Sequence, residues 1–332
     1  MKRASAAAVL LAALALSACG ERVELKAIPA GAQKQLSIAL PGPLSALYGP
    51  LFAAQASGDL ARGELALTPT ASSSGPAALE RLASGEVDVA VASEPELLAA
   101  RERGDRLVSI GALTQGPLEA LLSIAPRTIG TVAQLRGQTV AVSGQPLQGA
   151  ELDTMLTAAR VDPSTVRRLP AGSDPTSALG PKAAAALGYW NYDAVALEQH
   201  HRRPTAIGVQ SAGVPAFTQL ALVVRVAEAR HEGPILRGLL QALMRGTAQL
   251  RVNPQPALAA LLAASSGLDS RFELAVLQRT LLLPSSASLP FGYQDPHTWG
   301  AFGDWMQTHH LLAKPAHAEL ALTNEFLPGQ GE

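Results

Sequence analysis

From residue 36 to residue 113 the chain alternates short apolar runs with stretches of helical spacing. Residues 36–40 are apolar and end at Pro41-Gly42-Pro43. In 48–57 the apolar positions recur three and four apart, and Gly58 stops them. Residues 64–70, 87–92 and 107–113 read as further strands, and 77–83 and 96–103 as helices. A strand–helix unit recurs about every 25 residues, which predicts a parallel sheet covered by helices. Gln115-Gly116-Pro117 breaks the rhythm. It resumes with strands at 118–124, 139–142, 166–169 and 205–209 and helices at 149–160 and 193–201. Residues 175–187 fit both patterns: the Ala run favours helix, while the order of elements favours strand for 183–187. An apolar run at 220–226 follows Gly213-Val214-Pro215, and from 228 onward the chain is mostly helical: 235–250, 256–264, 271–282 and 296–310.

This order predicts two α/β lobes joined twice. Lobe 1 takes 35–115 and, on the chain's return, 215–332; lobe 2 takes 116–214. The crossings fall near 115–118 and 214–219. Two lobes with a double crossover close by hinge around a ligand. In such sheets ligands lie off the carboxyl ends of the strands. Residues 43–48, 73–75 and Ser93-Glu94 all fall at such ends.

The N-terminus changes the picture of where this body works. Lys2 and Arg3 lead into an apolar run at 6–16 and then Ser17-Ala18-Cys19-Gly20. That is an export signal, too short for a span of roughly 20 apolar residues. Leu16-Ser17-Ala18-Cys19 resembles the bacterial lipobox, whose Cys is lipidated and becomes the mature N-terminus. Residues 1–19 are therefore expected to be a lipoprotein signal and 20–34 a tether. Cys19 is the only cysteine, so no internal disulfide forms. A formal charge of −1 offers no basic field for nucleic acid. The expected membrane contact is the lipid anchor only.

The densest candidate chemistry is Leu187-Gly188-Tyr189-Trp190-Asn191-Tyr192-Asp193. The chain has four Tyr and three Trp, and three of these seven fall within four positions here. Asn191 supplies a donor and an acceptor, and Asp193 a carboxylate. Flat rings beside such groups suit a planar, polar small molecule; they equally suit a core plug beside a turn. Ser72-Ser73-Ser74-Gly75-Pro76 leads into a helix, where free N–H groups can hold an anionic or carbonyl group. The same Ser residues also serve as an N-cap. No G-x-S-x-G elbow or G-x-x-x-x-G-K-[ST] loop is present. The pairs His200-His201 and His309-His310 point to different helix faces, so no metal site is expected. Trp299 and Trp305, six apart, read as core.

Several stretches resemble the NMT1/THI5-like periplasmic binding proteins, above all those for thiamine-pyrimidine precursors. They are Ser93-Glu94-Pro95-Glu96-Leu97, Ala133-Gln134-Leu135-Arg136-Gly137, Ser143-Gly144-Gln145-Pro146, Gly188 through Asp193, Gly213-Val214-Pro215 and Ala321-Leu322-Thr323-Asn324-Glu325-Phe326. The family's first loop carries Asn and His where Leu44 and Leu47 stand here, and Asp193 replaces a longer Glu. The resemblance implies a type 2 periplasmic-binding fold, delivery to an ABC permease, and a pyrimidine stacked on aromatics and bonded at Trp190, Asn191 and Asp193. On this reading Trp190, with Tyr48 or Tyr189 on the opposite face, stacks the ring. Asn191 and Asp193 bond its nitrogens. Ser74, Glu94 and Ser143 add polar contacts from both lobes, with Gln115 near the hinge. The expectation is an exported, lipid-anchored solute-binding protein of an ABC importer, with no cofactor and no catalytic residue. The alternatives are another small solute, such as an alkanesulfonate or a riboflavin precursor, and a pyrimidine-processing enzyme on the same fold.

Overall fold

The computed structural model describes residues 33–282 and 290–329. The expected signal, Cys19 and the tether up to Ala32 lie outside the described residues, and Lys34 already belongs to the first strand.

The first stretch runs β1 (Lys34–Leu40), α1 (Gly49–Ala56), α2 (Asp59–Arg62), β2 (Leu65–Ala71), α3 (Gly75–Ala83), β3 (Val89–Ala92), α4 (Glu94–Glu102) and β4 (Leu107–Thr114). The second runs β5 (Glu119–Ile124), β6 (Thr139–Val142), α5 (Pro146–Ala158), β7 (Arg167–Pro170), β8 (Ala185–Tyr189), α6 (Asp193–Gln199) and β9 (Pro204–Gly208). The chain then returns through β10 (Leu220–Arg225) into α7 (Val226–His231), α8 (Gly233–Val252), α9 (Gln255–Ala264), α10 (Ser270–Thr280) and α11 (Pro296–Thr308). The two sheets have strand orders β2-β1-β3-β10-β4 and β7-β6-β8-β5-β9.

The strands β1, β2 and β3 are parallel, as are β6, β7 and β8. The expectation of purely parallel sheets needs one correction: β10 runs antiparallel to β3 and β4, and β5 antiparallel to β8 and β9. The reason is the length of the crossings. A parallel return needs a dozen or more residues, whereas β4 ends at Thr114 and β5 begins at Glu119. A strand entered directly from the other lobe starts at the carboxyl edge of its new sheet and must run away from it.

The ambiguous 175–187 stretch resolves into a single turn of 3-10 helix at Pro175–Ala178 and then β8. Ala183, Ala185 and Ala186 are buried. Placement between β6 and β5 outweighs the helical preference of Ala, since small side chains fit a strand covered on both faces.

The C-terminal helices pack on lobe 1. In α8 the buried positions Leu236, Leu239, Leu240, Leu243, Gly246 and Leu250 follow helical spacing. Gly246 lies directly on α1, where a Cβ would come 2.4 Å from the Ala54 backbone nitrogen. Two of these helices also reach lobe 2. Tyr192 meets Phe272 of α10 edge-on at 4.9 Å, and Arg279 pairs with Glu198. The Trp305 indole N–H of α11 donates to Thr154 Oγ1 of α5 at 3.0 Å. Trp299 is core, and its indole N–H donates to Thr218 Oγ1 at 3.1 Å.

Candidate functional site

Both crossings and the end of β8 are tied at one point. The Leu118 N–H donates to Gln219 Oε1 at 3.0 Å, and the Leu118 carbonyl accepts from the Trp190 N–H at 3.0 Å. The Gln219 amide in turn donates to the Tyr189 hydroxyl at 3.1 Å. On the lobe 1 side, Glu94 at the start of α4 grips the second crossing. Its Oε2 accepts from the Thr218 N–H at 2.8 Å, and its own N–H donates to the Thr218 carbonyl at 2.9 Å. Glu94 is fully buried, and its Oε1 has no partner among the described residues. Burial pushes this carboxyl up to about 8, against the Thr218 hydrogen bond.

The stretch Leu187 to Asp193 is therefore a turn at the junction of the lobes. Asp193 Oδ2 accepts from the Tyr189 N–H at 2.6 Å. The carboxylate comes so close that a Cβ at Gly188 would lie 2.8 Å from it, so a larger residue there would have to push the Asp193 side chain aside. Burial pushes Asp193 up to about 6, the Tyr189 hydrogen bond opposes this, and Asp174 and Glu119 add to it. Asn191 is fully buried: Nδ2 donates to Thr280 Oγ1 of α10 at 2.7 Å, and Oδ1 has no partner. Trp190 is half-buried and packs against the apolar clusters of both lobes.

A second group of polar side chains surrounds Tyr189. Burial holds its hydroxyl well above the ordinary phenol range, and Glu119, Glu96, Tyr48 and Asp193 reinforce this. Tyr48 is buried and raised for the same reason, with Glu96 and Tyr192 adding to it. Glu96 Oε2 accepts from the Ser93 N–H and hydroxyl, both at 2.8 Å. Its carboxylate occupies the space a Cβ at Gly75 would need, 2.1 Å away. Glu119 opens β5 directly opposite Tyr189. Glu151 of α5 is fully buried beside it. Burial, and then the charge and hydrogen bond of Glu119, hold Glu151 well above the ordinary carboxylate range.

Glu96, Glu119 and Glu151 were not among the sequence candidates. Their only signal is an ionisable residue inside an apolar pattern: Glu119 leads a buried strand, and Glu151 adjoins Leu152 and Met155 on the buried stripe of α5.

The remaining candidates lie at or near the strand ends in other roles. Ser74 Oγ accepts from the Ala77 N–H at 3.3 Å, which is the N-cap arrangement. Ser143 is half-buried, and its Oγ accepts from the Gln145 N–H at 3.2 Å. Gln115 is exposed and donates to the Tyr293 carbonyl at 3.1 Å. It lines a cavity of about 330 Å³ with Leu47, Thr114, Thr280 and Phe291. That cavity is walled by lobe 1 and the first crossing.

The profile of the NMT1/THI5-like family matches residues 47–257. The chain belongs to this family. It is 27% identical over 252 residues to the formylaminopyrimidine-binding protein of Halalkalibacterium halodurans, covering 74% of this chain and 76% of that one. It is 24% identical over 249 residues to the 4-amino-5-hydroxymethyl-2-methylpyrimidine phosphate synthase of Legionella pneumophila subsp. pneumophila, covering 74% and 77%. In three dimensions it matches the periplasmic aliphatic sulphonate binding protein SsuA of Escherichia coli with a TM-score of 0.70 at 19% identity, over 91% of this chain and 94% of that one. The architecture is the type 2 periplasmic-binding fold. The relatives thus include both a binding protein and a synthase by name. In this member the first loop presents a buried Leu47. The groups that perturb Tyr189 are carboxyls and a phenol.

Proposed function

We propose that this NMT1/THI5-like chain is the extracytoplasmic solute-binding lipoprotein of an ABC importer, anchored through Cys19, and that it carries a pyrimidine-type thiamine precursor. The observation that carries the reading is the Trp190–Asn191–Asp193 turn. It sets a half-buried indole against the apolar clusters of both lobes, beside a fully buried amide oxygen without a partner. A planar ring lying on the indole would offer its nitrogens to Asn191 and Asp193. The formylaminopyrimidine-binding relative supports the same ligand class. Binding rather than turnover fits a junction of carboxyls and phenols, where Leu47 takes the place of an imidazole.

The test is thermal unfolding and calorimetry of residues 20–332 with formylaminopyrimidine and 4-amino-5-hydroxymethyl-2-methylpyrimidine. A ligand at 100 times its Kd should add about 2.7 kcal/mol of stability. A shift with riboflavin or an alkanesulfonate and none with either pyrimidine would replace this ligand class. Release of a chemically altered pyrimidine would favour the enzyme, the reading suggested by the synthase relative.

A further inference from the structure

The two crossings are each loose in the middle and fixed at both ends. Residues 115–117 and 215–217 make no backbone hydrogen bond among the described residues, and Pro117 and Pro215 have no N–H to offer. On the lobe 1 side, Thr114 pairs with Leu220 across the β4–β10 ladder. Thr218 is held there by Glu94 and by the Trp299 indole N–H. On the lobe 2 side, the Leu118 carbonyl accepts from the Trp190 N–H, and the Val214 N–H donates to the Val209 carbonyl. A few residues of this kind are what absorbs the backbone rotation in a hinge. Two such stretches, left to themselves, also let one lobe slide and twist against the other.

Gln219 bypasses both stretches. Its backbone lies at the lobe 1 end of the second crossing, yet its side chain ends in lobe 2. Oε1 accepts from the Leu118 N–H at 3.0 Å, beyond the free part of the first crossing, and Nε2 donates to the Tyr189 hydroxyl at 3.1 Å. The amide accepts at one atom and donates at the other, so one side chain fixes two partners at once. Gln219 and Leu118 are both buried, which strengthens these bonds. Position decides what they do when the lobes move. In a rotation, displacement grows with distance from the axis. The pairs Arg279 with Glu198 and Trp305 with Thr154 lie out on the helices and must stretch or part. The Gln219 link stands between the two crossings, where the axis passes, and stays made.

We propose that Gln219 is a positioning residue: the pivot that joins the two crossings into one hinge and carries Tyr189 and Trp190 with the rotation. With it, closure follows one path and delivers the ligand turn to one place. Without it, the crossings flex independently and lobe 2 meets lobe 1 in a range of orientations. This rests on the reading of the chain as a two-lobe binding protein, and its primary test needs no ligand.

Residues 20–332 contain no cysteine, since Cys19 is the only one. Spin labels on Glu80→Cys of α3 and Thr157→Cys of α5, both exposed positions, therefore report the distance between the lobes. Gln219→Met has a side chain of similar length without the amide. It should broaden the ligand-free distance distribution at least about twofold and speed amide exchange at Leu118 at least about tenfold, while exchange within β3 and β6 stays as in the wild type. Tyr189→Phe removes one of the two links and should broaden the distribution less; combined with Gln219→Met it should add nothing. Circular dichroism and melting establish that each variant is folded, and if the methionine variant is not, Tyr189→Phe decides alone. A glutamine that only supports the fold would lower Tm and leave the interlobe distance as narrow as before; that result in a folded variant overturns the inference. Stopped-flow binding of 4-amino-5-hydroxymethyl-2-methylpyrimidine separates this from the ligand reading. If the wild type fails to bind it while the distances broaden as expected, the ligand class falls and the pivot stands. If the wild type binds it while the distances do not change, the pivot falls and the ligand class stands.

Discussion

The α1–α8–α9 layer of lobe 1 and the junction around Tyr189 are both buried, and they are built on opposite principles. The layer is apolar throughout: Leu239, Leu240 and Leu243 of α8 are fully enclosed, and α1 lies on Gly246 with no gap for a Cβ. The junction holds Glu94 and Asn191, each carrying a buried oxygen without a partner among the described residues, and the buried carboxyl pair Glu119 and Glu151. The first region supplies stability and asks nothing of a ligand. The second is costly to bury, so its polar groups are kept at the expense of stability. Substitutions should separate the two. Changes in the layer should cost stability without altering the affinity of the folded fraction. Changes at the junction should alter binding or pH response, and some should stabilise the fold.

The largest expected effect is in the layer. Leu243→Ala deletes a fully buried side chain and should cost about 2–5 kcal/mol. Urea unfolding measures that cost, and calorimetry on the folded protein should return an unchanged Kd. A changed Kd with intact stability would erase the contrast between the regions.

Next is Glu94, where the sign runs the other way. The unfolded chain titrates near 4.5, while burial holds the folded carboxyl up to about 8. Below 4.5 both states keep the proton and nothing is lost. Between 4.5 and 8 the unfolded chain releases it and the fold retains it, so stability falls as pH rises. Above 8 the loss is complete. Glu94→Gln keeps an acceptor for the Thr218 N–H and removes the titration. It should therefore gain on the order of 2 kcal/mol over the wild type between pH 5 and pH 8. Parallel urea titrations at the two pH values that show equal slopes for both proteins would contradict it.

Trp190→Ala tests the junction directly. Loss of the indole should weaken pyrimidine binding at least tenfold, about 1.4 kcal/mol. Its stability cost should be smaller than that of Leu243→Ala, since the indole is only half-buried. An unchanged Kd by calorimetry removes the stacking role.

What could be read from the chain follows the same division. The layers were legible because packing imposes periods of 2 and 3.6 that survive in the sequence, as α8 and β3 show. Where composition and order disagreed, at 183–187, the Ala run suggested helix and the order of elements suggested strand; the neighbours β6 and β5 make it a strand. The turn at Trp190 and Asp193 was legible because rare residues cluster there. Glu119 and Glu151 were not. One reads as a polar lead-in after Pro117 and the other as an ordinary helix charge. Their significance comes from tertiary approach alone, which no local period encodes. Ser74 shows the converse: cap and anion site share one sequence signature, and here the hydroxyl is spent on the Ala77 N–H.

The smallest expected effect lies where the two regions touch at the surface. Arg279 of α10 holds both carboxylate oxygens of Glu198 on α6, at 2.9 and 2.7 Å, and so bridges the lobes. The geometry is bidentate, but both partners are substantially exposed, with side-chain exposures of 31% and 44%. Pairs of this kind contribute about 0–1 kcal/mol, because water screens the charges and ordering two long side chains offsets the gain. Arg279→Ala should therefore lower the unfolding free energy from urea titration by less than about 0.5 kcal/mol, and less still at high salt. The buried contact next along the same helix is the control: Thr280→Val removes the acceptor of the Asn191 amide N–H and should cost more, about 1–3 kcal/mol. If the arginine change proves the costlier of the two, charge at the rim rather than the buried amide holds α10 against lobe 2.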